Sequence, residues 1–422
     1  MNTALPLRPT PRFDPAPFEA LTVADLTARR SDKWTRFPGH IGAGIAEMDF
    51  GTAPAVEDAV TEAVRSGLLG YLPRWLSADL ARATAEWHLR RYGWPVDPAH
   101  IRAMPDVLEI LTVVLSQFHD QAAPVAVLTP AYMPFLTIPR VMGLTTVEVP
   151  MREDHTGWSI DEAALDRALA AGARTLILCN PHNPLGKVYT AAELARVAAL
   201  VDRHGARVFS DEIHAPITFT PSRHVPYASV PGAAGHSITA VSATKAFNMP
   251  GLKCAQVIIP DPATRDRWAE VAHWNEHKTS TLGALATVAA YDRGEDWLTD
   301  VLAYLRRNLT LLDELLRHHA PGVRMRVPAA TYIAWLDCRP LLAGTGPIAL
   351  DRHFGAFGVD LVTGAECGAA GAGFVRFNCA MPRPILEQSA ERLAEAVAAL
   401  HQPQHEQGRP FHPLDAAGGD PP

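Results

Sequence analysis

Apolar positions along the chain follow two alternating rhythms. Short, mostly apolar runs at 125–128, 146–149, 175–179, 206–209, 238–241 and 255–259 predict strands of a sheet covered on both faces. Between or before them, apolar residues recur every three or four positions at 54–66, 78–92, 107–118, 134–142, 161–170 and 191–204, which predicts helices. In the second of these, Leu80, Ala83, Trp87 and Arg91 fall on successive turns. Pro105 and Asp106 stand directly before the third, a good start signal. Such alternation implies a mainly parallel sheet with helices on both faces. The rhythm then changes. Long helical stretches at 263–277, 281–291 and 297–319 are followed by strands at 323–326, 332–336 and 374–377 and a closing helix at 384–400. That reads as a smaller α+β domain, with the boundary near residue 295. Proline-rich residues 1–17 read as a mobile or extended arm, and 401–422 as a disordered tail.

Composition narrows the class. The 422 residues are 48% hydrophobic and 20% charged, with a formal net charge of -7 and no basic block. A dedicated nucleic-acid or membrane-surface binder is therefore not expected. Cys179, Cys254, Cys338, Cys367 and Cys379 form no C-x-x-C pair and read as free thiols in a reducing compartment. No apolar leader and no run of about 18 apolar residues is present, so a cytoplasmic enzyme is expected.

Three strand-like runs end in polar clusters. One leads into Asn180-Pro-His-Asn183, one into Ser210-Asp211-Glu-Ile-His214, and one into Ser242-Ala-Thr244-Lys245. In a parallel sheet these ends share an edge, where open α/β folds place ligands. The residue types suit pyridoxal 5'-phosphate. Lys245 offers an amine to an aldehyde, and Asp211 a carboxylate to a pyridine nitrogen. Asn183 and His214 offer contacts to the ring hydroxyl, and Tyr132 an aromatic face. The start of the third helix, at Val107 and Leu108, offers backbone amides to a phosphate. Ser242 and Thr244 add hydroxyls, and Lys253 adds charge. Each residue alone has a plainer account: a solvated lysine, an Asp-Glu helix cap, a packed histidine, turn-forming asparagines, a core tyrosine.

Other motifs compete. Ser242-x-x-Lys245 matches the S-x-x-K of serine β-lactamases, but it follows a strand and lacks an S-D-N element. Leu185-Gly-Lys187 resembles a P-loop end, with Pro181 at the first glycine position and Val188 in place of Ser or Thr. Gly344-Thr-Gly-Pro-Ile-Ala349 fits G-x-G-x-x-A only in a late, proline-containing loop. No zinc spacing appears, and no metal is expected.

From about Arg30 to Leu400 the chain resembles fold-type I PLP enzymes of the aminotransferase class I/II superfamily. Within it, the chain is most similar to the cystathionine β-lyase-like C–S lyases (MalY/PatB). The motifs are Lys33-Trp34, Ala46-Glu-Met-Asp-Phe50, Gly70-Tyr71 with Arg74-Trp75, and Pro130-Ala-Tyr132-Met-Pro-Phe135. Cys179 to Lys187, Ser210 to His214, Ser242 to Asn248, Thr331 to Asp337 and Arg376-Phe-Asn378 complete the set. The resemblance implies a seven-stranded, mainly parallel large domain at 53–295, a small domain at 296–400, residues 1–52 as arm and part of the small domain, and a tail at 401–422. It implies Lys245 as cofactor amine and base at the substrate Cα, and Arg376 as the anchor of the substrate carboxylate. It also implies a homodimer in which Tyr71 reaches the neighbouring subunit's phosphate. The chain departs from the family pattern at Asp106, where Gly is usual, at Glu47, where Asp is usual, and in the polar segment Trp274-Asn-Glu-His-Lys278. These departures point to an altered substrate or reaction. The expected reaction is β-elimination from a cysteine S-conjugate to thiol, pyruvate and ammonia. Transamination, decarboxylation or oxidative deamination, and a non-enzymatic regulator built on the same fold stand as alternatives.

Overall fold

The computed structural model describes residues 13–343 and 348–400. The arm residues 1–12, the tail 401–422, and 344–347 of the G-x-G-x-x-A loop lie outside the described residues.

Seven strands form the central sheet. In spatial order they are Ile101–Met104, Ala255–Ile258, Ser237–Val241, Arg207–Asp211, Thr175–Cys179, Val125–Thr129 and Thr146–Pro150. The last five run parallel, while Ala255–Ile258 is antiparallel to both its neighbours. Every residue of Val125–Thr129, Thr175–Cys179 and Ser237–Val241 is buried. That explains their mostly apolar composition, because helices cover both faces. The helices start where the chain supplies acceptors for their free amides. Thr190 and Glu193 make a reciprocal capping box for Ala191–Arg203, and Asp106 accepts from the Glu109 amide at the head of Val107–Gln117.

A second, antiparallel sheet holds Arg324–Met325, Ile333–Asp337, Phe374–Asn378 and Val362–Thr363. The helix Glu295–His319 and the closing helix Arg383–Leu400 pack in the same apolar cluster as this sheet. Ile41–Gly42 pairs in parallel with Val359–Asp360, tying an N-terminal segment to the C-terminal part of the chain.

Several expectations need correction. Phe13 lies in the stretch read as a mobile or extended arm, yet it is buried and stacks on Phe18 at 5.1 Å, with Phe50 and Tyr304 edge-on. The edge strand Ile101–Met104 gave no signal, because only its two end residues are buried. The stretch 263–277 is two helices, Pro262–Val271 and His273–Glu276. The helix expected from residue 78 begins at Arg74, since Pro73 is extended and serves as its cap position.

Candidate active site

Strand register brings the polar clusters together. Cys179 pairs with Asp211, and Asp211 with Ala240, so the residues just beyond emerge at one sheet edge. A pocket of about 160 Å³ lies there. Val107, Leu108, Tyr132, Asn183, Asp211, His214, Ser242, Thr244, Lys245 and Lys253 all line it. Arg376 is buried beside it, close enough for its charge to act on Lys245 and His214. Tyr71 does not join them. It is 82% exposed and leans on His277, outside this chain's pocket.

The Lys245 ammonium donates to the Ala46 carbonyl at 2.7 Å, and the Tyr332 hydroxyl donates to the same oxygen at 3.0 Å. Burial, with the Arg376 charge adding to it, pulls the Lys245 amine down to about 8. Asp211 accepts from the Ile213 amide at 3.0 Å. Burial still pushes its carboxyl up to about 7, with the adjacent Glu212 charge working in the same direction. A carboxylate held this way is matched to a cationic partner. His214 is pulled down to about 3 by burial and by the Lys245 and Arg376 charges, so it is a neutral imidazole.

Among the buried polar atoms of the described residues that lack a hydrogen-bond partner, four belong to these site residues: Asn183 Oδ1, His214 Nδ1, and Nε and Nη1 of Arg376. The third guanidinium nitrogen, Nη2, donates to Gly44 O at 2.6 Å. Buried polar groups are nearly always satisfied, so such a cluster marks a ligand site. The donor set fits a phosphorylated pyridine aldehyde together with an amino-acid carboxylate. Amine and carboxylate stand ready for the aldehyde and ring nitrogen, helix-start amides and hydroxyls for the phosphate, and a guanidinium for the carboxylate.

Two expectations change on inspection. Lys253 is not a free cation, because its ammonium pairs with Asp106 at 3.0 Å. The polar segment 274–278, a departure that pointed to an altered substrate or reaction, does not line the pocket of its own chain. Its Asn275 and Lys278 side chains both bond to Glu109, and Glu276 bonds to Arg102 and Trp268. Ala46, Cys179 and Cys254 line the pocket without having been assigned a role, and Tyr332 shares the Ala46 carbonyl. Ala46 acts through a backbone oxygen, which no side-chain pattern reports. Burial raises the Cys179 thiol well above its ordinary range, so it is a neutral wall and not a nucleophile.

The profile of the aminotransferase class I and II family matches residues 40–393. A candidate cystathionine beta-lyase of Mycobacterium tuberculosis is 36% identical, covering 91% of this chain and 98% of its own. The cystathionine beta-lyase of Corynebacterium glutamicum is 32% identical over 88% of this chain and 98% of its own. Among solved structures, the PLP-bound C–S lyase of Staphylococcus hominis superposes with a TM-score of 0.84 at 26% identity, covering 90% of this chain and 97% of that one. The mixed, mostly parallel seven-stranded sheet is thus that of the type I PLP-dependent fold, and the chain belongs to the aminotransferase class I and II family.

Proposed function

We propose that this protein is a pyridoxal-phosphate-dependent C–S β-lyase that cleaves a cysteine S-conjugate, cystathionine-like or bulkier, to a thiol, pyruvate and ammonia. The observation that carries this reading is the buried Lys245 amine. It shares one pocket with Asp211 and lies near the Arg376 guanidinium, whose Nε and Nη1 have no partner, in a chain whose relatives bear lyase names.

Pyridoxal phosphate supplies, when bound, an aldehyde for amines and a ring that withdraws electrons from the substrate Cα. The chain's own residues do the rest. Lys245 would hold the aldehyde end, and its free amine would take the substrate Cα proton on Nζ. Its lowered proton affinity leaves a substantial neutral fraction near pH 8. Asp211 would keep a proton on the ring nitrogen. Asn183 and His214 would hold the ring oxygen, and Tyr132 would pack on the ring. The Val107 and Leu108 amides, Ser242, Thr244 and Lys253 would receive the phosphate. Arg376 orients the substrate carboxylate through Nε and Nη1. As the Cα proton leaves, the Cβ–S bond breaks and sulfur departs with the electron pair. The three-carbon remainder hydrolyses to pyruvate and ammonia.

The same reading includes a homodimer in which Tyr71 serves the neighbouring pocket, which accounts for its exposure here. It includes a large domain at 53–295 built around the seven-stranded sheet and a small one at 296–400 built around the four-stranded sheet. It also includes a cytoplasmic setting, in keeping with five buried free thiols; no helix among the described residues is long and apolar enough to cross a membrane.

The test is direct. Purified protein should absorb at about 410–430 nm and release pyruvate from cystathionine, cystine or bulkier S-alkyl cysteines, and Lys245→Ala should abolish both. A 2-oxo acid formed only when an amino acceptor is added would assign transamination instead.

A further inference from the structure

The helix Val107–Gln117 begins with two carboxylates, and both are already answered. Asp106 uses one oxygen to accept from the Glu109 amide at 2.8 Å and the other to bind the Lys253 ammonium at 3.0 Å. Glu109 binds the Lys278 ammonium at 2.6 Å and the Asn275 amide at 2.7 Å. Ser242 Oγ, on the same side of the pocket, already donates to the Cys254 carbonyl at 2.7 Å and lies 2.8 Å from Thr244 Oγ1. The helix start still presents the Val107 and Leu108 amides to an anion. The one lysine at that end of the pocket is neutralised by a carboxylate three ångströms away. Asp106 and Lys253 therefore add no net charge to the place where a phosphate must sit.

We propose that Asp106 is an affinity-setting residue that competes with the cofactor phosphate for Lys253 and keeps pyridoxal phosphate weakly held and exchangeable. Lys253 acts chiefly as the counter-ion of Asp106. A phosphate entering the pocket gains the helix amides but meets the Asp106 charge, and it shares Lys253 instead of owning it. Removing the carboxylate frees the lysine for the phosphate. This inference rests on the cofactor reading given above. The Asp106 and Lys253 side chains are 38% and 58% exposed, so water and salt screen the pair and the effect is moderate.

Cofactor-free protein titrated with pyridoxal phosphate, followed by tryptophan fluorescence and by the absorbance band, tests it. Asp106→Asn keeps a side-chain oxygen for the helix cap, and Asp106→Ser provides a second uncharged cap. Each should lower the Kd about fivefold to tenfold at low salt, with the gain shrinking as salt rises. Pyridoxal, which has no phosphate, should bind wild type and both variants alike. Lys253→Met should weaken pyridoxal phosphate binding about threefold in the wild-type background, where Asp106 already engages the lysine, but about tenfold beside Asp106→Asn, where the lysine is free for the phosphate. An unchanged or weaker Kd in both Asp106 variants overturns the inference. So does equal tightening for pyridoxal, or a Lys253→Met penalty that is the same in both backgrounds. If wild type at saturating pyridoxal phosphate shows neither quenching nor the band, the cofactor reading itself fails, and this inference with it.

Discussion

Burial acts on Asp211 and Lys245 in opposite senses, and each leaves a signature in stability against pH. In the folded chain the Asp211 carboxyl keeps its proton up to about 7, against an ordinary value of 3.8. Between those values the folded state binds more protons than the unfolded, so stability falls as pH rises. Lys245 loses its proton at about 8 when folded, against 10.5 ordinarily. Over that interval the unfolded state binds more protons, so stability recovers as pH rises. For these two groups, cofactor-free protein should be least stable between about pH 7 and 8, where both are charged in their buried site. A shift of three units corresponds to roughly 4 kcal/mol. Asp211→Asn, which cannot ionise, should therefore stabilise the cofactor-free protein by about 2 kcal/mol or more at pH 8 and have little effect near pH 4. Denaturant unfolding at the two pH values measures this. The same variant should bind pyridoxal phosphate more weakly. A variant that is less stable than wild type at pH 8 would show that Asp211 is not held at a cost. The two residues were legible in sequence for one physical reason: each stands at the polar end of a short, mostly apolar strand, and a charged side chain there lands at the ligand-binding edge of a parallel sheet.

At the scale of elements, the site depends on a segment that carries no catalytic side chain. Residues 46–51 present the Ala46 carbonyl to Lys245, and that segment is pinned from two sides. Asn248, three residues beyond Lys245, accepts from the Met48 amide at 2.8 Å and donates to the Met48 and Gly51 carbonyls at 2.8 and 3.0 Å. On the other side, the buried Lys33 ammonium pairs with Asp49 at 2.9 Å, while the Trp34 indole donates to the other Asp49 oxygen at 2.8 Å. Asn248 also sits at φ 52, a left-handed conformation that asparagine tolerates better than most residues. Asn248→Ala removes three hydrogen bonds and adds backbone strain, so a loss of about 3 kcal/mol is expected in denaturant unfolding. Pyruvate release should fall through kcat more than through KM, because the loosened segment faces the amine and not the carboxylate anchor. Sequence pattern could not single out Asn248 or Asp49 as supports. Their partners are backbone atoms or residues far along the chain, and neither hydrophobic rhythm nor spacing records such contacts. The short strands Ile101–Met104 and Val362–Thr363 escaped for a related reason: with few buried residues, they are defined by their neighbours in the sheet.

At the scale of the whole molecule, one surface differs from the rest. Leu69, Tyr71, Trp75 and Trp274 are 62%, 82%, 53% and 74% exposed. Tyr71 also contacts His277, and Thr281 donates to the Gly70 carbonyl, so the 70–75 turn and the 274–281 segment adjoin. Large apolar side chains gathered in this way are characteristic of an interface. The proposed dimer uses this face as a two-fold interface, with each Tyr71 serving the partner's copy of the pocket. The arrangement is open to a subunit-mixing test. Lys245→Ala removes the amine from a chain's own pocket, while Tyr71→Ala removes what that chain lends to its partner. Neither homodimer should turn over normally. When the two chains are unfolded and refolded together in equal amounts, half of the dimers are hybrids. Each hybrid contains one pocket with both groups intact, so activity should return to about a quarter of the wild-type level per chain. Refolding the variants separately and then combining them gives the baseline without exchange. Activity of the co-refolded sample no greater than that baseline, with hybrid dimers verified by a tag on one chain, would mean that Tyr71 does not serve the partner's pocket. Sedimentation as a monomer at assay concentration would mean the exposed aromatic face has another purpose.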